Sequence, residues 1–243
     1  MNLQKLTTKA QEALQKVTSL APNFPEGFVN LGVLYIRSRQ PDKAIQALSR
    51  ALELAPANFV AHFNRAEALT QKGDLKGALE GYKRAVELRP DLPAFRLSLG
   101  LAYWRSGDHA GAEQEFLKLL DSPVAADAYR NLGVLQTQAG QRDRAVEYLR
   151  QAVSLRNVFP EAHHDLGIAY VQKGMTDDAI EQFRTTLAQQ PDHGPAVLNL
   201  SMAYQNKGDL QAAQQTLEKY IEQYGNTNSP YIAQAKVRLA SFK

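Results

Sequence analysis

The sequence predicts an all-α chain, an α-solenoid of six helix-turn-helix units with a capping helix at each end, and three observations predict it. Alanines fall at 44, 78, 112, 145, 179 and 213, in steps of 34, 34, 33, 34 and 34 residues. Glycines at 73, 107, 140, 174 and 208 keep those steps, and a small residue recurs with them at Gly32, Ala66, Gly100, Gly133, Gly167 and Ser201. A fixed period of this length marks a repeat array, in which each copy buries its apolar face only against its neighbours.

The units run 25–58, 59–92, 93–125, 126–159, 160–193 and 194–227, after an N-terminal half-repeat or capping helix (1–24) and before a C-terminal capping helix (228–243). In the first segment Leu6, Ala10, Leu14, Val17 and Leu20 recur at helical spacing, which predicts a helix with one face to bury. Ala10 and Leu14 lie 34 residues before Ala44 and Leu48, so this segment matches the second half of a unit and is consistent with a fragment of something longer or with a natural cap.

Within each unit, counted from its first residue, the small side chain at position 8 lets the first helix (A) lie close to the second (B). Glycine at position 15 takes the left-handed conformation that ends helix A. Alanine at position 20 repeats the close contact, and Leu48, Tyr82, Phe116, Leu149, Phe183 and Leu217 at position 24 fill the seam. Proline at position 32, as in Leu54-Ala55-Pro56, stops helix B. Three departures put local turns in doubt and leave the fold intact: Arg39 replaces a glycine, the third unit is one residue short at Pro123, and Asn157 replaces a proline. After the sixth unit Tyr224–Pro230 reads as a loop, and Tyr231, Ala235, Val237, Leu239 and Phe242 share a last helix with Lys236, Arg238 and Lys243. Twelve helices plus two terminal ones follow.

The unit around residue 160 carries the pattern in full: His163, Leu166-Gly167, Tyr170, Gly174, Ala179, Phe183 and Pro191. This resembles the tetratricopeptide repeat, which implies a right-handed superhelix with ligands on its concave face. Tyr220 to Phe242 also resembles the repeats of bacterial envelope assembly lipoproteins, which points to a bacterial source.

Composition narrows the function classes. Lys and Arg number 28 against 25 Asp and Glu, interspersed as in Arg142-Asp143-Arg144, so no basic arm for nucleic acid stands out. With no cysteine, disulfides, thiolate metal sites and cysteine nucleophiles are absent. No apolar run spans a membrane and Met1–Leu20 has no signal-peptide core, so the expectation is a soluble chain with no visible address and no direct membrane insertion, either cytoplasmic or the soluble part of a bacterial envelope protein. His62, His163, His164, His109 and His193 form no His-Glu-x-x-His, and no phosphate loop or Gly-x-Ser-x-Gly occurs. No metal, cofactor or enzymatic activity is expected.

Function then falls to helix A. Positions 7, 8 and 11 face the seam, and positions 2, 5, 6, 9, 12 and 13 face the other way, toward the concave groove that the resemblance implies. Position 6 reads Asn30, Asn64, Ser98, Asn131, Asp165 and Asn199, similar to the asparagine ladder of the repeat domain of O-linked N-acetylglucosamine transferases. A side-chain amide pairs with both the N–H and the C=O of an extended peptide, although it can equally bond a neighbouring helix or its own turn. Around the ladder Phe63, Leu97, Leu101, Trp104, Arg130, Val134, Ile168 and Met202 complete the candidate partner-binding set, with Val29, Glu67, Ile36 and Val171 at equivalent positions. The Lys and Asn set of repeat domains that clamp carboxylate tails is not supplied: Val29 and Val33 occupy it in the first unit, Ala94 and Ser98 in the third. The expectation is a non-catalytic scaffold for a protein or peptide partner. The alternatives are the substrate-recruiting part of a larger enzyme such as a glycosyltransferase, and a homo-oligomer formed through the groove or a terminal helix.

Overall fold

The computed structural model describes residues 3–242, with side chains from Leu6 to Phe242. Lys243, expected in the last helix, lies outside the described residues. The chain divides into two compact units, Met1–Val124 and Ala125–Lys243. The first holds α1 (Leu3–Leu20), α2 (Pro25–Arg37), α3 (Pro41–Leu54), α4 (Phe59–Lys72), α5 (Leu75–Leu88), α6 (Pro93–Arg105) and α7 (His109–Leu117). The second holds α8 (Ala125–Gln138), α9 (Arg142–Leu155), α10 (Pro160–Lys173), α11 (Thr176–Gln189), α12 (Gly194–Lys207), α13 (Leu210–Tyr224) and α14 (Pro230–Ala240). Among the described residues these fourteen helices are the regular structure, and they are the twelve-plus-two that the repeat predicts.

Each A–B pair is closed by a side chain entering a gap left by a missing one. A methyl group on Gly32, Gly100, Gly133 or Gly167 would stand 2.4–2.5 Å from Leu48, Phe116, Leu149 or Phe183. Those four partners are fully buried. In the other two units Ala66 faces the flatter ring of Tyr82 and Ser201 faces Leu217, so only small residues stand where helices A and B cross. Between pairs the contacts are made by Ala61, Ala128, Ala162 and Ala196 near the start of helix A, all fully buried.

Local signals set the helix ends. Asp74, Asp108 and Asp209 cap helices B by accepting from the backbone N–H of Gly77, Gly111 and Ala212, while Asn58 and His193 do the same for α4 and α12. Position 15 is left-handed throughout, as in Gly140 at φ 72°, and Arg39 adopts the same conformation at φ 53°. The turn therefore forms without glycine, at the cost of a strained arginine. Asn157 likewise leaves its helix end in place: α9 stops at Leu155, and Arg156 is held in extended backbone by two hydrogen bonds to Asp127 and by stacking 4.3 Å over the Phe159 ring. A proline is not needed where the next residue is anchored in this way.

Two expectations are corrected. The helix B before Pro123 does not run to the proline. It ends at Leu117, and the next residues follow as tight turns in which Ser122 bonds the carbonyl of Leu119. The apolar face of α1 is only partly buried. Leu14 joins the core with Val29, Leu31 and Leu48, but Leu6 and Val17 are exposed and Leu20 is 75 % exposed. In α3 the matching residues Ala44, Leu48 and Ala51 lie between two helices, whereas α1 packs on α2 alone among the described residues. At the other end Ile232 and Ala235 bury α14 against Val197, Leu217 and Tyr220, while Val237 is 74 % exposed.

Opposite substitutions test the seam and the turn in urea denaturation. Gly133→Ala should cost about 1–3 kcal/mol by overpacking Leu149. Arg39→Gly should add about 0.5–1 kcal/mol by relieving the left-handed arginine, net of the glycine's extra unfolded-state freedom.

Candidate functional site

Helix A exposes the side that the A–B seam does not use, and on that side neighbouring A helices meet at a recurring offset. A residue at position 5 or 12 of one unit faces the residue 35 places on, one position further along the next. Arg130 Nε donates to Asp165 Oδ2 at 2.7 Å, Asn199 Nδ2 lies 3.0 Å from His164 Nε2, and Gln71 Nε2 donates to the carbonyl of Ile36 at 3.2 Å. The opposite charges of Arg130 and Asp165 at this spacing are the sequence signal that would have identified the pair.

In the first unit, Asn30 is exposed, and Asn64 is half-buried with its Nδ2 donating to the carbonyl of Val60 in its own helix at 2.8 Å. Phe63 is half-buried, stacked on Phe95 with centroids 4.4 Å apart and edge-on to Tyr82 at 5.4 Å. Leu97, Leu101 and Trp104 are half-buried on α6. Val29, expected in the groove, is instead buried in the core with Leu31 and Tyr35. Position 5 borders both faces, because a helical side chain leans over the preceding turn, and a short branched residue there is covered by the neighbouring helix. Glu67 is also drawn inward: it accepts a hydrogen bond from the Tyr82 hydroxyl, whose pKa is pushed above the usual tyrosine range first by burial and then by this carboxylate.

In the second unit, Asn131, Val134 and Ile168 are half-buried, Ile168 packing against the core around Phe183. Val171 and Met202 are 43 % and 45 % exposed. Among the described residues the amides of Asn30 and Asn131 bond no other side chain or backbone group, whereas those of Asn64 and Asn199 are engaged. Arg130, Asp165, His164 and Asn199 form one polar patch, with the His193 ring 4.7 Å from that of His164. Burial, then the His193 and Arg130 charges, pushes the His164 pKa down to about 4. Burial raises that of Asp165 against the pull of Arg130.

Three other histidines have structural partners: His62 contacts the Pro56 carbonyl, His163 contacts Gln182 at 2.8 Å, and His193 caps α12, while His109 opens α7. Among the described residues no group of three or more His, Cys, Asp or Glu is placed to hold a metal, and no helix is long and apolar enough to cross a membrane. The arrangement offers amides, apolar side chains and one ion pair, a chemistry of recognition.

Family models described as tetratricopeptide repeat match residues 25–58, 97–158, 136–193 and 172–239, and one described as TPR repeat matches 66–107. The human protein O-mannosyl-transferase TMTC3 is 26% identical over 153 residues, which are 62% of this chain and 13% of that protein. The chain thus spans about an eighth of the length of this curated relative. Among solved structures, MamA is 28% identical with a TM-score of 0.58, covering 65% of this chain and 92% of its own. YrrB, described as a TPR protein with an unusual peptide-binding site, is 26% identical with a TM-score of 0.57, covering 79% of this chain and 98% of its own.

The depressed His164 pKa fixes a sign. Stability owed to the neutral imidazole is present in full above its unfolded value of 6.5 and is lost as pH falls toward about 4. An NMR titration should find His164 still neutral at pH 5, and urea stability of the wild type should fall between pH 6.5 and 4.5 more than that of His164→Gln.

Proposed function

Because the chain belongs to the tetratricopeptide-repeat family, we propose that it is a non-catalytic scaffold that holds a peptide segment or helix of a partner protein against the exposed side of its A helices. The observation that carries this reading is the solvent exposure of Val171 on α10 and Met202 on α12, in the same compact unit as the unengaged amide of Asn131 on α8. The fold has no use for apolar side chains there, and a partner covering them gains their burial. An extended backbone laid along the row brings an N–H and a C=O to each free amide, independent of its sequence. In the first unit Asn30 plays that part, with Leu97, Leu101 and Trp104 supplying apolar area. Asn64 and Asn199 are committed within the protein and contribute less. The peptide-binding site named for YrrB supports the class of ligand.

A second reading rests on the human transferase: the chain is the substrate-recruiting part of a larger enzyme, binding its substrate protein by the same surface. The intact mass of the native protein separates the two, since a product of 243 residues has no catalytic domain attached.

Partners captured from lysate by the wild type, then titrated individually, test the site. Asn131→Ala should weaken a partner held by the second compact unit roughly fivefold, from one hydrogen bond of about 1 kcal/mol, and Asn30→Ala should do the same for one held by the first. Asn64→Ala should change it far less. Equal affinity for the Asn30 and Asn131 variants and the wild type removes the amides from the interface.

A further inference from the structure

The two helices of each unit also meet on the side away from the proposed groove, where position 4 of helix A faces position 23 of helix B. In three units large or bonded pairs occupy this crossing: Arg96 with Glu115 at 2.7 Å, Tyr129 with Tyr148 at 6.1 Å between centroids, and His163 with Gln182 at 2.8 Å. In the sixth unit the pair is Val197 and Thr216, and neither side chain is long enough to fill the space. A cleft of about 730 Å³ opens there between α11 and α13, over α12. Smaller clefts beside Ala47 and Gly81, of about 440 and 280 Å³, follow the same rule.

The chemistry of the large cleft differs from that of the others. Its floor is apolar and aromatic, from Leu187, Val197, Tyr204 and Tyr220, its sides carry the neutral polar groups of Gln215, Thr216 and Gln223, and two cations, Arg184 and Lys219, stand exposed at its rim. Neither cation pairs with an acid among the described residues, and no Asp or Glu lines the cleft. The smaller clefts carry their own acids, Glu53 in one and Asp74 and Glu80 in the other. A cleft with an apolar floor, neutral polar sides and two cations but no acid in its lining complements a ligand that brings an apolar side chain between acids.

We propose that this cleft is a second docking site, separate from the groove, for an acidic segment of a partner protein that inserts a bulky apolar side chain. The side chain enters between Leu187 and Tyr220 over Val197, and the flanking carboxylates meet Arg184 and Lys219. An aromatic floor suits such an anchor, since it buries large area with little side-chain freedom to lose.

Three fluorescein-labelled peptides test the site by polarisation: one with a Leu-Phe pair flanked by Asp and Glu, one with Lys in place of the acids, and one with Ala-Ala in place of Leu-Phe. The first should bind the full chain, more weakly as salt rises, and at least about tenfold more tightly than either of the others. Arg184→Glu with Lys219→Glu, at exposed positions that leave folding intact, should weaken it at least about tenfold. Thr216→Tyr, which gives the sixth unit the large side chain that the fourth carries at Tyr148, should do the same by filling the cleft. Arg142→Glu with Arg144→Glu, reversing two exposed cations in the fourth repeat, away from the cleft, should leave binding unchanged. The proposal is overturned if the acidic peptide does not bind, if all three bind alike, or if reversal at Arg184 and Lys219 has no more effect than reversal at Arg142 and Arg144.

Discussion

The structure depends on one packing constraint: a bulky side chain at position 24 of helix B must enter the space left by a glycine or another small residue at position 8 of helix A. Leu48, Phe116, Leu149 and Phe183 each sit where a methyl group on the facing glycine would stand within 2.5 Å. The close crossing buries these four completely and brings the flanking alanines at position 20 into contact as well. Burial of one such side chain contributes about 1.5–3 kcal/mol relative to exposure, so the same contact six times over outweighs any local irregularity. That is why the seam tolerates a strained arginine at one turn and a missing proline at another.

With that seam fixed, the rest of each helix is assigned by elimination. Positions 8 and 11 of helix A turn to the partner helix, position 7, expected in that seam, turns with position 10 to the preceding pair, as Leu99 and Ala102 do, and positions 2, 6 and 9 are left over. The leftover side is therefore a product of the fold before it is a product of selection for binding. Its contents distinguish the two units. In the first, the 35-residue offset sets Val29 against Asn64 and Phe63 against Ser98, and apolar side chains lean inward, as Phe63 does onto Phe95. In the second, the same offset sets Arg130 against Asp165 and His164 against Asn199, and both pairs are bonded.

The fold was legible because its signals repeat. Six small residues at position 8 and six large ones at position 24 make a chance match negligible, and each of the fourteen helices follows from them or from their echoes at the ends. The termini were less legible, since a helix with one neighbour buries less than its pattern promises, as Leu20 and Val237 illustrate. The short α7 shows the same limit: one deleted residue before Pro123 moved the helix end by more than one residue, because Ser122 offered the backbone another partner. At the candidate site the sequence identified the row of asparagines but not which amides are free. Asn64 and Asn131 occupy equivalent positions, yet Asn64 bonds its own helix and Asn131 does not. A single sequence carries the residue type, while the choice between bonding inward and bonding a ligand is made by rotamer and neighbours.

The same distinction bears on what a partner of the second unit must offer. The Arg130–Asp165 pair is already satisfied and largely screened from water, so a ligand that separated it would leave a charge without its partner, which costs more than a new contact returns. A complementary segment therefore leaves the pair intact and covers it with neutral backbone, drawing its affinity from Asn131 and from the exposed Val171 and Met202. Neutral His164 serves the same end: with its Nε2 held by Asn199, it adds no charge for the ligand to desolvate at physiological pH. A surface built from one closed ion pair, one neutral imidazole and the free amide of Asn131 suits the main chain of a partner better than a charged side chain, and this separates its ligand from the acidic one that the Arg184–Lys219 cleft would take.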